Sequence, residues 1–433
     1  MRKRMEKKRI LRLAVCWWGC LMAATVGYGC GESWEGQETQ ASSAMQNTVA
    51  ADTAGEKKGE EKDSSEEIGK ELYEENEAES IEQRETVGPQ EEDAILAEVR
   101  EAASCFADLY QSADKGEAVN AVIAPETIHA MADRLGGQGY AASCDRHDRN
   151  MDNWETVDAA LERASQGETA SAVVYVMASY GGFHRYQMDF QDEEMTLTTA
   201  EMDWSKEGEP YLSYLERIRV YHWEYTEKGW LILEKEPSKN MEMDQHLLLR
   251  VKPLAEEDRR LCERYVEPVG YSQTNLFLTD WSAAEMGELA LNDAFGVLYH
   301  IQLGQMPPYG EQVPAREWER VMTDFLPFSA EELRTAAGYT ASTDTYPWKA
   351  AGYGSASTVS FLPFPEVVAH EEKEEGILVL TVEGVSKEEG LDCAFAHEVT
   401  LQTKEDGSWK YLGNRLVSEK MVSVPPYRPR SVP

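Results

Sequence analysis

The chain has 433 residues, 79 of them acidic against 42 basic, for a formal charge of −37. An acid excess of that size repels phosphate backbones and anionic headgroups, which argues against nucleic acid as a partner and against electrostatic adhesion to a bilayer. The length exceeds what a single hydrophobic core ordinarily fills, so two domains are expected.

The basic residues are not spread evenly. Arg2, Lys3, Arg4, Lys7, Lys8, Arg9 and Arg12 cluster ahead of an apolar run over residues 13–26, and Cys30 follows. A cationic flank is held on the cytoplasmic side, so the order reads as an export signal over residues 1–29 and everything after it faces outward. Three processing outcomes are open. The preferred one is lipoprotein maturation, with cleavage before Cys30 and lipidation of its sulfur. Gly29 suits it, although Gly27 and Tyr28 depart from the usual Leu or Val followed by a small residue. The alternatives are free secretion and retention of residues 10–28 as a single N-terminal membrane anchor. The expected address is the outer side of the cell membrane, with the membrane itself as a partner through lipid or retained anchor.

Residues 30–93 form an acidic zone: positions 31–93 hold 20 acidic and 5 basic residues. Large apolar residues are scarce there, so too little surface is buried to offset ordering entropy, and a disordered tether is expected.

The patterning then turns globular. Ile95, Val99, Ala102, Phe106 and Leu109 mark one helix, Pro125 opens a second that Gly136-Gly137 closes, and Asp152 or Asn153 caps a third over Trp154, Val157 and Leu161. The period then switches to two. Residues 172–180 and 183–190 flank Gly181-Gly182 as a hairpin, and strands over 195–204, 214–226 and 230–236 continue a meander. Residues 94–240 are therefore read as a first domain, of class α+β, with helices against a curved antiparallel sheet. Residues 241–281 read as a connector with a strand near 246–251 and a helix near 256–266. Residues 282–420 restate the plan as a second domain: helices over 290–303, 314–324 and 331–337, then strands over 367–370, 377–385, 394–403 and 409–417. Trp230 and Trp409 each follow a glycine turn and are expected to bury against the helices before their sheets. The tail, 421–433, carries four prolines and is expected to be disordered.

This order of helices and meander resembles the cone-shaped nuclear-transport-factor-2-like fold. Tyr265-Val266-Glu267-Pro268-Val269-Gly270-Tyr271, Asn275-Leu276-Phe277-Leu278-Thr279-Asp280-Trp281 and Gly407-Ser408-Trp409-Lys410-Tyr411-Leu412-Gly413-Asn414 look like stretches of uncharacterised surface lipoproteins of gut-dwelling monoderm bacteria. The resemblance implies a pocketed fold without an activity, because such cones host many unrelated functions.

Few motifs carry chemistry. G-x-S-x-G, H-E-x-x-H and P-loop spellings are absent, and no catalytic residue is assigned. Cys144-Asp145-Arg146-His147 offers two ligand types at C-x2-H spacing, but no second pair lies at zinc-site distance, so no metal and no cofactor is expected. Asp148–Asp152 starts like a calcium loop, but Asn153 replaces its glycine and Ala159 its glutamate, which leaves a polar loop. His184 and His222 fall in strands near Asp189, Glu216 and Glu224; these histidines, and His397, read as structural or solvent-facing. Cys105, Cys144, Cys262 and Cys393 admit two bridges or four packed thiols. Tyr346, Trp348 and Tyr353 punctuate a loop-rich stretch and are the candidate ligand-binding residues, with plugging of the sheet as the competing role. The preferred function is a non-catalytic binding or scaffold module for a surface protein or glycan. An exported hydrolase or isomerase with an unrecognised pocket is the alternative.

Overall fold

The computed structural model describes residues 85–116, 122–192, 194–235, 245–350 and 362–430. The signal segment, most of the acidic stretch, Cys30 and Tyr353 lie outside them. No helix among the described residues is long and apolar enough to cross a membrane.

Helix α1 (Pro89–Ser104) starts ahead of the expected domain edge at 94, because Pro89 supplies the first helical position. The chain before it is already tied down: the Glu85 amide donates to the Arg217 carbonyl at 3.0 Å, and Glu91 pairs with the Arg217 guanidinium. Among the described residues, the chain is therefore tied to the body from residue 85, ahead of the expected edge at 94. α1 breaks at Cys105 and Phe106 before α2 (Ala107–Ser112). Phe106 is fully buried there, edge-on to Phe183 and Trp204 with centroids 6.2 and 5.9 Å away. Helix α3 (Pro125–Gly137), strand β1 (Ala142–Cys144) and helix α4 (Trp154–Ser165) follow. Asn153 stands at the N-cap position of α4, yet its side chain donates instead to the carbonyls of Gly136 and Tyr140.

β2 (Ala170–Met177), β3 (Phe183–Gln191), β4 (Glu194–Trp204) and β5 (Pro210–Arg219) join β1 in a five-stranded sheet of order β1-β2-β3-β4-β5. Only the β1–β2 pair in it is parallel. Gly181 turns the β2–β3 hairpin with φ of 88°, and a Cβ there would approach Ile123 to 2.5 Å. Alternate residues of the sheet serve different cores. Tyr175, Met177 and Met202 pack with α1 and α3, whereas Val174, Met188 and Leu197 pack with α4. The strand expected over 214–226 is two strands: after Val220 the chain leaves β5 and enters β6 (His222–Tyr225), which pairs with β7 (Trp230–Glu234) and β8 (His246–Arg250) in a separate sheet. That sheet covers the α4 side of the first.

The stretch read as a connector is divided between the halves. β8 completes the small sheet, while α5 (Glu256–Tyr265) and β9 (Trp281–Ser282) join the second half. There α6 (Leu291–Leu303), β10 (Gln312–Pro314), α7 (Ala315–Phe325), α8 (Ala330–Ala336) and β11 (Thr345–Pro347) precede four long strands, β12 (Phe364–Glu372), β13 (Ile377–Ser386), β14 (Leu391–Thr403) and β15 (Trp409–Leu416). The sheet order is β12-β13-β14-β15-β9, antiparallel throughout. Trp318, Val321, Met322 and Phe325 form one stripe of α7 and meet Leu380, Phe395, Val399 and Tyr411 from the sheet. Helices with antiparallel sheets make the chain α+β, as expected.

The tail is not loose through residue 430. Tyr427 donates to Asp293 at 2.6 Å, and Arg430 Nε donates to the same carboxylate at 2.7 Å. A buried aspartate in α6 needs a cation, and the tail supplies it. Trp409 packs between Tyr265 and Phe325 but is only half-buried. Trp230 does not face the helices of its own half. It is fully buried at the junction, clustered with Leu248 and with Val385 of β13. Two ion pairs flank it: Arg250 to Glu366 at 2.6 Å and Lys228 to Glu383 at 2.7 Å.

Candidate functional site

A cleft of about 290 Å³ opens beside this junction. β1 reaches it first, because its parallel pairing with β2 ends both strands side by side at Cys144 and Met177. The chain then turns away through His147, whose φ of 57° is a strained choice for a residue with a side chain. Ring packing holds that turn: the imidazole stacks on Phe364 at 4.7 Å and meets Trp230 edge-on at 5.6 Å. Val176, Leu247 and Leu249 give the cleft an apolar wall, and Arg250 and Lys387 bring cations to it from the two halves.

The titratable groups are each restrained. Desolvation holds the His147 pKa below its ordinary value, and the charge of Lys387 adds to that. Desolvation also lowers the pKa of His184, against the opposing pull of Glu201, whose carboxylate lies 3.3 Å from Nδ1. Burial pushes the Cys144 thiol up to about 12, so it is protonated at neutral pH and a poor nucleophile. Asp145 accepts the Ser179 amide at 3.2 Å.

The sequence candidates are placed differently from expectation in several cases. Tyr346 and Trp348 are buried rather than exposed on a loop. Tyr346 stacks on Trp318 at 4.1 Å and donates to Glu319 at 2.9 Å, while Trp348 meets Phe295 edge-on. Their wide apolar rings fill the space between α6, α7 and the short β10–β11 ribbon. His184 does not meet Asp189, which hydrogen-bonds with Ser171 and Gln187. Its partner is Glu201, directly opposite in the β3–β4 register. His222 is exposed on β6. His397 is a satisfied core histidine. Nδ1 donates to Asn414 Oδ1 at 2.7 Å, leaving Nε2 to accept from the Tyr271 hydroxyl at 3.0 Å. All four described cysteines are free thiols. Cys144 and His147 are not brought together as the C-x2-H spacing invites. Instead Cys144, His129 of α3 and Asp148 place one ligand atom each within 4.8 Å of one another.

The match to a family of unknown function covers residues 92–430, nearly all of both halves and the tail clamp. The chain belongs to the DUF6070 family. Neither a curated protein nor a solved structure matches it. Because the DUF6070 match runs from residue 92, within α1, through Arg430, the junction and its cleft lie wholly within the family's extent.

Proposed function

We propose that this DUF6070 chain is an outward-facing protein held at the cell membrane through Cys30, whose body binds a small ligand in the junction cleft without transforming it. The observation that carries the reading is the cleft wall. Leu247–Arg250 from β8 and Lys387 from the second half face the β1 loop across it. A volume near the bottom of the roughly 300–1,000 Å³ range of ligand pockets suits an amino acid, a monosaccharide or a fragment of comparable size. An outward position presents the cleft to pieces of surface protein or glycan. The export signal and the acidic stretch supply the address and the spacing.

An exported hydrolase or isomerase is the second reading, and the convergence of His147, His184 and Asp145 on one cleft favours it. Against it stand the protonated Cys144 thiol and the hydrogen bond that Asp145 accepts from the Ser179 amide.

Thermal denaturation with panels of amino acids, monosaccharides and short peptides tests binding. One chemical class is expected to raise the melting temperature, and Leu247→Trp, which fills the cleft, is expected to abolish that rise. No stabilisation by any class, or stabilisation unaffected by Leu247→Trp, rejects the cleft as the site. Turnover of the stabilising compound that vanishes in His184→Ala would make the chain an enzyme instead.

A further inference from the structure

Below the cleft, the β1 loop meets helix α3 in a second constellation. His129 Nε2 and Asp148 Oδ1 lie 2.9 Å apart, yet neither atom makes a hydrogen bond among the described residues, and both are shut off from solvent. At that separation an N–H aimed at the carboxylate would bond it, so the two atoms are close without facing each other as donor and acceptor. Cys144 is the third member, 1 % exposed. Cys105, Cys262 and Cys393 each set Sγ against a backbone carbonyl, of Glu101, Pro365 and Phe395 respectively. Cys144 has no such acceptor among the described residues.

These orphaned atoms share one explanation. Zinc binds imidazole nitrogen and carboxylate oxygen at roughly 2.0–2.2 Å, so two such ligands on one ion sit about 3.0–3.5 Å apart. The 2.9 Å between Nε2 and Oδ1 is close to that spacing, and all three ligand atoms fall within 4.8 Å. We propose that His129, Cys144 and Asp148 form a site for a divalent transition metal, zinc by preference, with a fourth position open to water or a small ligand.

The chemistry of the set agrees. One imidazole, one thiolate and one carboxylate suit a borderline-soft ion and exclude calcium or magnesium, which take oxygen ligands. Thiolate and carboxylate together neutralise the dication. Binding converts the Cys144 thiol to a metal thiolate and releases one proton to solvent, which removes the unfavourable burial of a free S–H without an acceptor. The surroundings orient the ligands: Arg146 holds the other oxygen of Asp148 at 3.1 Å, and Arg259 holds the Asp148 carbonyl. His129 and Asp148 remain partly exposed, which leaves a path for the ion. Cys144 also lines the cleft, so the site adjoins the ligand cleft without depending on it.

Titration of the full chain with Co²⁺, read by elemental analysis and by the near-ultraviolet thiolate-to-cobalt band, tests the site. One equivalent per chain is expected, displaced by Zn²⁺. Cys144→Ser is expected to remove the band, while Cys262→Ser keeps it. His129→Gln and Asp148→Asn, at partly exposed positions that tolerate change, are each expected to weaken binding at least as much as the loss of an outer-shell partner, about 10–100-fold. Absence of the band in the native chain, its persistence in Cys144→Ser, or unchanged affinity in both His129→Gln and Asp148→Asn overturns the proposal.

Discussion

Arg430 and Asp293 form an ion pair at 2.7 Å with side chains only 5 % and 2 % exposed, although the arginine lies in a proline-rich tail and the aspartate in the first turn of α6. The Tyr427 hydroxyl and the Arg430 amide donate to the same carboxylate. Removing one partner of a buried pair leaves the other charge uncompensated, at a cost of about 3–5 kcal/mol. Arg430→Ala is expected to destabilise by that amount in urea unfolding. Adding Asp293→Ala should cost less than the sum of the two single changes. A loss below about 1 kcal/mol in Arg430→Ala would show that the tail is not anchored there.

His397 gives the second half an acid sensitivity. Burial holds its pKa down at about 4, against 6.5 for the free side chain. Between those values the unfolded chain binds a proton that the native state does not, so stability falls as pH drops from 6.5 towards 4 and is unaffected above 6.5. At 1.36 kcal/mol per unit the loss is about 3 kcal/mol at most. Denaturant unfolding at pH 7.5 and pH 4.5 measures it. His397→Gln, which keeps a polar partner for Asn414, is expected to shrink the difference without abolishing it, because the buried His147 is also held down at about 4. An equal acid loss in His397→Gln would place the sensitivity elsewhere.

Trp230 and Trp409 should behave differently from each other. Trp230→Ala opens a cavity shared by Leu248 and Val385, from different halves, and costs about 3–5 kcal/mol. Hydrogen exchange is expected to accelerate in both β7 and β13. Trp409→Ala should speed exchange around α5, α7 and β15 and spare β7. Acceleration confined to β7 in Trp230→Ala would mean that the junction carries no coupling.

The anchor proposed at Cys30 can be tested directly. Cys30→Ser is expected to leave an unprocessed precursor or to release the chain into the medium, and globomycin, which blocks lipoprotein signal peptidase, is expected to stop maturation. Unchanged size and membrane association under both treatments would leave the retained N-terminal anchor as the explanation.

Much of the fold is legible in the residues because it is local. Pro125, Gly181-Gly182 and the α7 stripe act through backbone geometry and spacing, and the structure places elements where those signals stand. What is not legible depends on distant partners. The break at Phe106 follows from Phe183 and Trp204, and the split at Val220 follows from pairing with β7, since apolar alternation runs on through both. Prolines in the tail suggest looseness because nothing local reveals that Asp293 lacks a cation. At the candidate site the C-x2-H spelling draws attention to Cys144 but pairs it with His147. The nearer imidazole is His129, fifteen residues upstream on a packed helix, and only tertiary structure brings it round. The His184–Glu201 pair likewise depends on hairpin register, which the turn fixes and composition does not.

Arg217 has a mechanical consequence. Its carbonyl accepts the Glu85 amide and its guanidinium grips Glu91 with two hydrogen bonds, so the point where the chain enters the body is fastened twice to one residue of β5. A pull delivered through the N-terminal side would reach both fastenings before the buried residues of α1, with only Val87 packed on the core between them. They would share the force and let go together, and a chain stretched from that end would yield first by lifting α1 off β5, with the cleft and both halves still intact.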